Sequence, residues 1–255
     1  MHIYCIKLKT IKTVLLLLIV TILLSVNFDG NIAASVYFNN NLRKVPIYFV
    51  NTTEKKVAIS FDAAWGADKT EKIMDICKEY GINATFFLTG IWVEKYPELV
   101  KKIYENGFEI GTHSNTHPDM TKLNQNQIKL ELENSCKLIT DITGHTIELF
   151  RAPFGAYNDT LIETASSLNL KTIQWDVDSL DWKGLSAIEI TNRILNGARS
   201  GSIILCHNNS DHIVEALPLV LDRLSKKGYK VTSVGDVIIK QDYFIDNNGM
   251  QSAKV

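Results

Sequence analysis

The residues best equipped for chemistry in this chain lie in one short stretch, Gly111-Thr112-His113-Ser114-Asn115-Thr116-His117-Pro118. Two imidazoles spaced H-x-x-x-H share one side of a helical turn or converge in a tight loop, and the Ser, Asn and Thr between them argue against a buried apolar reading. The spacing suits a metal. Zinc accepts neutral imidazole nitrogen at about 2.0–2.1 Å, and such sites use three protein ligands plus an open position for water or substrate. A polar loop whose histidines only cap and turn would show the same pattern, so the choice depends on what the fold brings to the pair.

The elements around it alternate. Val57–Phe61 is a buried strand, and apolar spacing at Ile73, Ile76 and Cys77 predicts a helix over 68–80 that Gly81 ends. A strand over 84–88 and a helix over 97–106 follow, then Phe108–Gly111 leads into the histidines. Beyond them come a helix over 124–140, a strand over 147–150, a helix over 158–168, a strand over 170–175 and a helix over 186–199. A strand over 202–206, a helix over 214–227 and a last strand over 229–231 complete the series. About seven strand-helix units in succession predict a parallel sheet closed into a barrel rather than an open doubly wound sheet. Asp62, His113, Arg151, Asp181 and His207 all fall at or just past the carboxyl ends of these strands, where such a barrel builds its site.

The 255 residues, 45% apolar and 22% charged with a formal net charge of −1, describe one globular domain without a basic footprint for nucleic acid. Lys7, Lys9 and Lys12 precede an apolar run from Val14 to Val26, the pattern of an export signal. Cleaved signal peptide and retained anchor both remain open, and membrane contact is expected only through this segment. The reading divides the chain into a signal peptide or anchor (1–34), an extended lead-in (35–54), the globular domain (55–240) and a C-terminal tail (241–255). Cys77, Cys136 and Cys206 are odd in number and lack a C-x-x-C, so they are read as buried hydrophobes rather than a disulfide framework.

Ser60-Phe61-Asp62, His113 to His117, Arg151-Ala152-Pro153-Phe154-Gly155, Asp178-Ser179-Leu180-Asp181-Trp182 and Leu205-Cys206-His207 follow one another as five ordered motifs. Together they resemble the polysaccharide deacetylases, the NodB-homology domains or family 4 carbohydrate esterases, over about residues 55–238. The export signal and short lead-in look like the sporulation-associated branch in Gram-positive bacteria. The resemblance implies a distorted (β/α)7 TIM-like barrel that removes acetyl groups from N-acetylated cell-wall glycan, peptidoglycan above all, at the cell or spore envelope. It implies Asp62 as general base, Arg151 as the cation that orients it, and His113 and His117 as ligands of a divalent metal, zinc in the first instance. The backbone N–H of Phe154 would hold the oxyanion, Asp181 would fix His207 as general acid, and Trp182 and Leu205 would wall the acetyl methyl pocket. The residue types agree with amide hydrolysis, which needs an activated water, a base, and an acid to protonate the departing amine.

One position departs from the pattern. The family's first motif carries a second Asp that completes an Asp-His-His metal site, and Ala63 stands there instead. A methyl group cannot ligate. Water or another side chain, Asp68 or Asp119, fills the gap, or the metal is held weakly, or hydrolysis is lost. Because Asp62, Arg151, Asp181 and His207 are present together, retained or altered catalysis is the leading expectation. A wall-associated glycan-binding protein with a degenerate metal site and a deacetylase of chitin-type oligosaccharides are the alternatives. A glycosidase using Asp62 and Asp181 ranks last, since it leaves three histidines without a role.

Overall fold

The computed structural model describes Lys12, residues 14–20 and residues 43–254. Residues 14–20 are helical and lie in a unit, residues 1–43, distinct from the unit formed by residues 44–255. The rest of the expected export signal lies outside the described residues, and among those described no helix is long and apolar enough to cross a membrane.

The second unit is a distorted, TIM-like parallel half-barrel. Its strands are β2 (Lys56–Ala63), β3 (Thr85–Leu88), β4 (Glu109–Thr112), β5 (Leu149–Phe150), β6 (Lys171–Thr172), β7 (Val177–Asp178), β8 (Ile203–His207) and β9 (Lys230–Thr232). They run in the order β6-β5-β4-β3-β2-β8-β7, with β9 added against the start of β2. Helices α1 (Thr70–Glu79), α2 (Gly90–Lys95), α3 (Pro97–Glu105), α4 (Gln125–Thr143), α5 (Asp159–Ser167), α6 (Ala187–Gly197), α7 (Ile213–Lys226) and α8 (Val234–Val237) connect them. Helix starts follow local chemistry. Asn124 with Gln127 and Ser186 with Glu189 form capping boxes at α4 and α6, satisfying backbone N–H groups that have no partner inside the helix.

The sheet does not close on itself, because β6 and β7 are not paired. The lead-in bridges the gap instead: Ile47 pairs with Ile173 and Phe49 with Ser202. The strand expected over 170–175 is only two residues long, and its end is shared with the lead-in: the Ile173 N–H still donates to the Phe150 carbonyl at 2.8 Å, while Ile47 accepts from the Gln174 N–H at 2.7 Å and donates to the Thr172 carbonyl at 3.0 Å. Strand β1 (Phe49–Val50), inside the short strand expected over 47–50, also pairs with β11 (Met250–Ala253), which forms a hairpin with β10 (Tyr243–Ile245) in the tail, where no element is expected in the sequence.

Strand alternation sorts side chains into two layers. Val57, Ile59, Phe61 and Ala63 of β2 join the larger apolar cluster under the helices. Ala58, Phe87, Leu149, Ile173 and Ile203 form a second cluster across the sheet, with Val234 and Val237 of α8. The same inward-facing series continues toward the carboxyl ends of the strands as Ser60, Asp62, His113, Arg151 and His207, which is how an apolar floor becomes a polar site. Gly111 is required there: a Cβ at this position would lie 2.6 Å from the Phe87 ring, and that ring supports the Arg151 guanidinium at 4.1 Å. Gly111→Ala is therefore expected to lower the urea midpoint by the equivalent of about 1–3 kcal/mol, the usual cost of overpacking a filled core. Unchanged stability would show that Phe87 is free to move.

Candidate functional site

The register places Asp62 of β2 beside His207 of β8, and the chain leaving β4 beside the chain leaving β5, so that His113 and Arg151 are neighbours. Arg151 is fully buried. Its Nη1 donates to Asp62 Oδ1 and to Ser60 Oγ, both at 2.8 Å, and its Nη2 donates to the Gln174 carbonyl at 3.2 Å. The Ser60 hydroxyl in turn donates to the Ile204 carbonyl at 2.7 Å. The guanidinium lies over Phe87, with Trp175 5.6 Å away. Burial pushes the Asp62 carboxyl up, but the charges of Arg151, His113 and His207 outweigh it and hold the group below the ordinary carboxylate range.

His207 is tied to Asp181 twice. Its Nδ1 lies 2.7 Å from Asp181 Oδ1 and its backbone N–H donates to Oδ2 at 2.9 Å, while Ser210 donates to the same Oδ2 at 2.9 Å. Burial lowers the imidazole pKa, yet the hydrogen bond to Asp181 and the charges of Asp181, Asp62 and Asp178 raise it above 6.5 overall.

The central histidines lie in a loop whose backbone is held in place from a distance. Glu131 of α4 accepts the N–H groups of Asn115 and Thr116 at 2.9 and 2.8 Å, and the Thr116 hydroxyl at 2.7 Å. Ser114 and His117 take positive φ, 71° and 61°. The His113 Nδ1 is 2.7 Å from the Arg151 carbonyl oxygen, and its Nε2 is 3.6 Å from Asp62 Oδ2. Burial lowers its pKa against the pull of Asp62. The His117 ring is enclosed by Trp65, His113 and Phe154, with centroids at 5.9, 4.9 and 4.7 Å, and burial with the neighbouring His113 brings its pKa down to about 4.

These groups open into a cavity of about 560 Å³, whose lining includes Asp62, His113, His117, Asp181, Leu205 and His207. Its rim is aromatic. Trp65, Phe154 and Trp182 are 60%, 70% and 59% exposed, large values for such apolar side chains. Phe154 also has φ 59° inside the turn Pro153–Gly155, a strained conformation for a residue with a Cβ.

The expected zinc site requires correction. Among the described residues, no group of three or more His, Cys, Asp or Glu side chains is placed to hold a metal ion. His113 and His117 do approach each other, but the third ligand is missing. Ala63 is fully buried in the apolar cluster under the helices. Asp62 is engaged by Arg151. Neither proposed substitute reaches in: Asp68 is drawn to Lys69 at 3.3 Å, and Asp119 bonds the Thr121 hydroxyl at 2.6 Å and Lys122 at 3.2 Å. Two imidazoles fall short of the three ligands that a catalytic zinc needs, so the residues present do not fit the group.

Comparison with known proteins agrees with the geometry. The polysaccharide deacetylase family model matches residues 49–173. Peptidoglycan-N-acetylmuramic acid deacetylase PdaA of Bacillus subtilis is 30% identical over 220 residues, covering 82% of this chain and 81% of that protein. The chain belongs to the polysaccharide deacetylase family. A peptidoglycan-N-acetylglucosamine deacetylase of Bacillus cereus is 33% identical over 70% of this chain and 66% of that protein. The share of a curated relative's length that this polysaccharide deacetylase chain spans ranges from 40% to 81%, with 62% for an uncharacterized Bacillus subtilis protein at 33% identity. Among solved structures, a CE4 family pseudoenzyme from Bacillus anthracis superposes with a TM-score of 0.75 at 31% identity, covering 80% of this chain and 73% of that one. A mutant of that pseudoenzyme is described as having restored enzymatic activity.

Ser60, Glu131 and the Gln174 carbonyl were not visible as site residues in the sequence, since each acts on a group far along the chain. Only the position of Ser60 on the same strand face as Asp62, two residues before it, could have suggested its role.

Ala63→Asp, which puts a carboxylate where the family carries one, is expected to raise zinc retained after dialysis from background to about one ion per chain. Retention at background would mean that the loop geometry as well as the ligand count prevents binding. The Asp181–His207 pair makes a pH prediction. A His pKa raised by folding stabilises fully below its ordinary value of 6.5 and loses that contribution as pH rises through the folded value. The stability gap between wild type and Asp181→Asn in urea melts should therefore shrink from acidic toward alkaline pH; a gap that widens would contradict the pairing.

Proposed function

We propose that this chain is a wall-associated glycan-binding protein, built on a polysaccharide deacetylase fold whose metal site is degenerate, with little or no catalysis. The observation that carries this reading is the coexistence of an open, aromatic-rimmed cavity with a ligand set lacking its third member at Ala63. A dead cleft would have no reason to keep its exposed rings in place. Trp65, Phe154 and Trp182 supply flat apolar faces of the kind that pack against sugar rings, with Leu205 beside them in the lining. The ligand class is peptidoglycan-type glycan, since the relatives include peptidoglycan deacetylases of Gram-positive bacteria. The place of action is the outer face of the membrane or the envelope of a Gram-positive cell or spore, in keeping with the lysine-led apolar run at the N-terminus.

A second reading, residual N-deacetylation, is favoured by the two intact charge pairs. In it Asp62, oriented by Arg151, takes the proton from an attacking water, and His207, held by Asp181, protonates the leaving amine. The Phe154 N–H would face the developing oxyanion. What this arrangement lacks is a strong polariser of the carbonyl, so turnover is expected to be slow.

Incubating the full-length chain with peptidoglycan, in parallel with and without added zinc, distinguishes the two. The glycan-binding reading expects no acetate above a no-protein control and sedimentation of the chain with the insoluble wall. Trp182→Ala should weaken that sedimentation by about tenfold in apparent affinity, the scale for losing one stacked aromatic. Steady acetate release would replace the first reading with the second, and failure to sediment would remove it.

A further inference from the structure

The glycan-binding reading leaves the preferred sugar chemistry undecided, and two groups at the floor of the cavity bear on it. A carbonyl oxygen only accepts, so the short contact between His113 Nδ1 and the Arg151 carbonyl fixes the imidazole proton on Nδ1. In the neutral ring Nε2 is then a bare lone pair. It faces Asp62 Oδ2 at 3.6 Å, and the other Asp62 oxygen already accepts from Arg151. Both residues are over nine-tenths buried, 3% and 6% exposed, and both line the cavity. Two acceptors this close repel unless a donor serves both, and a single nitrogen about 2.9 Å from each spans the distance.

Charge indicates which nitrogen. Asp62, Asp178, Asp181 and Asp211 all line the cavity. Arg151 compensates Asp62, and His207 pairs with Asp181. Lys69 is shared between Asp68 at 3.3 Å and Asp211 at 3.8 Å. Asp178 has no ion pair among the described residues, its Oδ1 accepting the Leu180 N–H at 2.9 Å. Two further cations lie near the rim among the described residues: Lys183, 5.0 Å over the Trp182 ring, and Arg193, whose Nε donates to the Asp178 backbone carbonyl at 2.7 Å. Four carboxylates thus line the cavity beside aromatic faces, a setting that attracts cations. An acetamide offers one neutral N–H, whereas a protonated primary amine offers three donors and a positive charge.

We propose that the cleft selects glycan bearing free amino groups, the de-N-acetylated form of an amino sugar, with the ammonium between Asp62 Oδ2 and His113 Nε2 and Asp178 supplying longer-range attraction. The ligand would then be the product of amide hydrolysis carried out by another enzyme. This rests on the glycan-binding reading, and the experiment separates the two.

The full-length chain is titrated calorimetrically with a glucosamine tetramer and with an N-acetylglucosamine tetramer at about pH 6.5, below the usual amine pKa. The expected result is about tenfold tighter binding of the amine form, with a preference that shrinks as salt rises. Asp62→Asn would leave the buried Arg151 charge unpaired and is a poor folding risk. Asp178→Asn keeps the acceptor for Leu180 and removes only charge, so it should narrow the ratio to about threefold. Equal or tighter binding of the acetylated tetramer overturns the inference and leaves the glycan-binding reading intact. Binding of neither tetramer removes both, and an undiminished preference in Asp178→Asn overturns the role given to that carboxylate.

Discussion

The buried ion pair between Arg151 and Asp62 is the constraint around which the site is arranged. A guanidinium with no exposed surface needs a carboxylate and further acceptors, and Asp62 and Ser60 of β2 and the Gln174 carbonyl just past β6 provide them from two separate segments. Removing one partner of such a pair costs about 3–5 kcal/mol, because the other is left charged and buried. The pair thus fixes the mutual positions of β2 and of the chain leaving β5. Through the Arg151 carbonyl it also orients His113. Because Asp62 is neutralised by a side chain, the charge at the floor of the barrel is balanced without a metal, and the chain can carry a methyl at position 63 without an uncompensated carboxylate.

That balance accounts for a cleft whose outline persists while its ligand count is short. Asp181 receives a His207 imidazole, a backbone N–H and a Ser210 hydroxyl, so it too is satisfied within the protein. The His117 ring is enclosed by the Trp65 and Phe154 rings. The exposed rings above these pairs are costly to leave in water unless something covers them, and in the proposed role sugar faces would cover them.

Much of this was legible because parallel strands alternate strictly. Once β2, β4, β5 and β8 are recognised from their apolar runs, Asp62, His113, Arg151 and His207 must emerge at one end of the sheet. Ala63 was equally visible, but the sequence could not show whether Asp68 or Asp119 would take the vacant role; each is held by a neighbour only one to three residues away. The remaining misses concern contacts between distant segments. Ser60 reaches Arg151 across 91 residues, and β1 finds β11 across about two hundred, with strands too short to carry a periodic signal. Glu131 lies on an exposed helical stretch where charge normally means solvation, and nothing local marks it as the anchor of the histidine loop.

The central claim is that glycan recognition here needs no metal. The most direct measurement is the affinity of the full-length chain for soluble peptidoglycan fragments, taken once in excess chelator and once in saturating zinc. Equal dissociation constants in the two conditions are predicted, since the binding surface is assembled from aromatic rings and carboxylates that hold no metal. An affinity that falls by about tenfold or more in chelator would contradict the account and return the two imidazoles to a metal-dependent role.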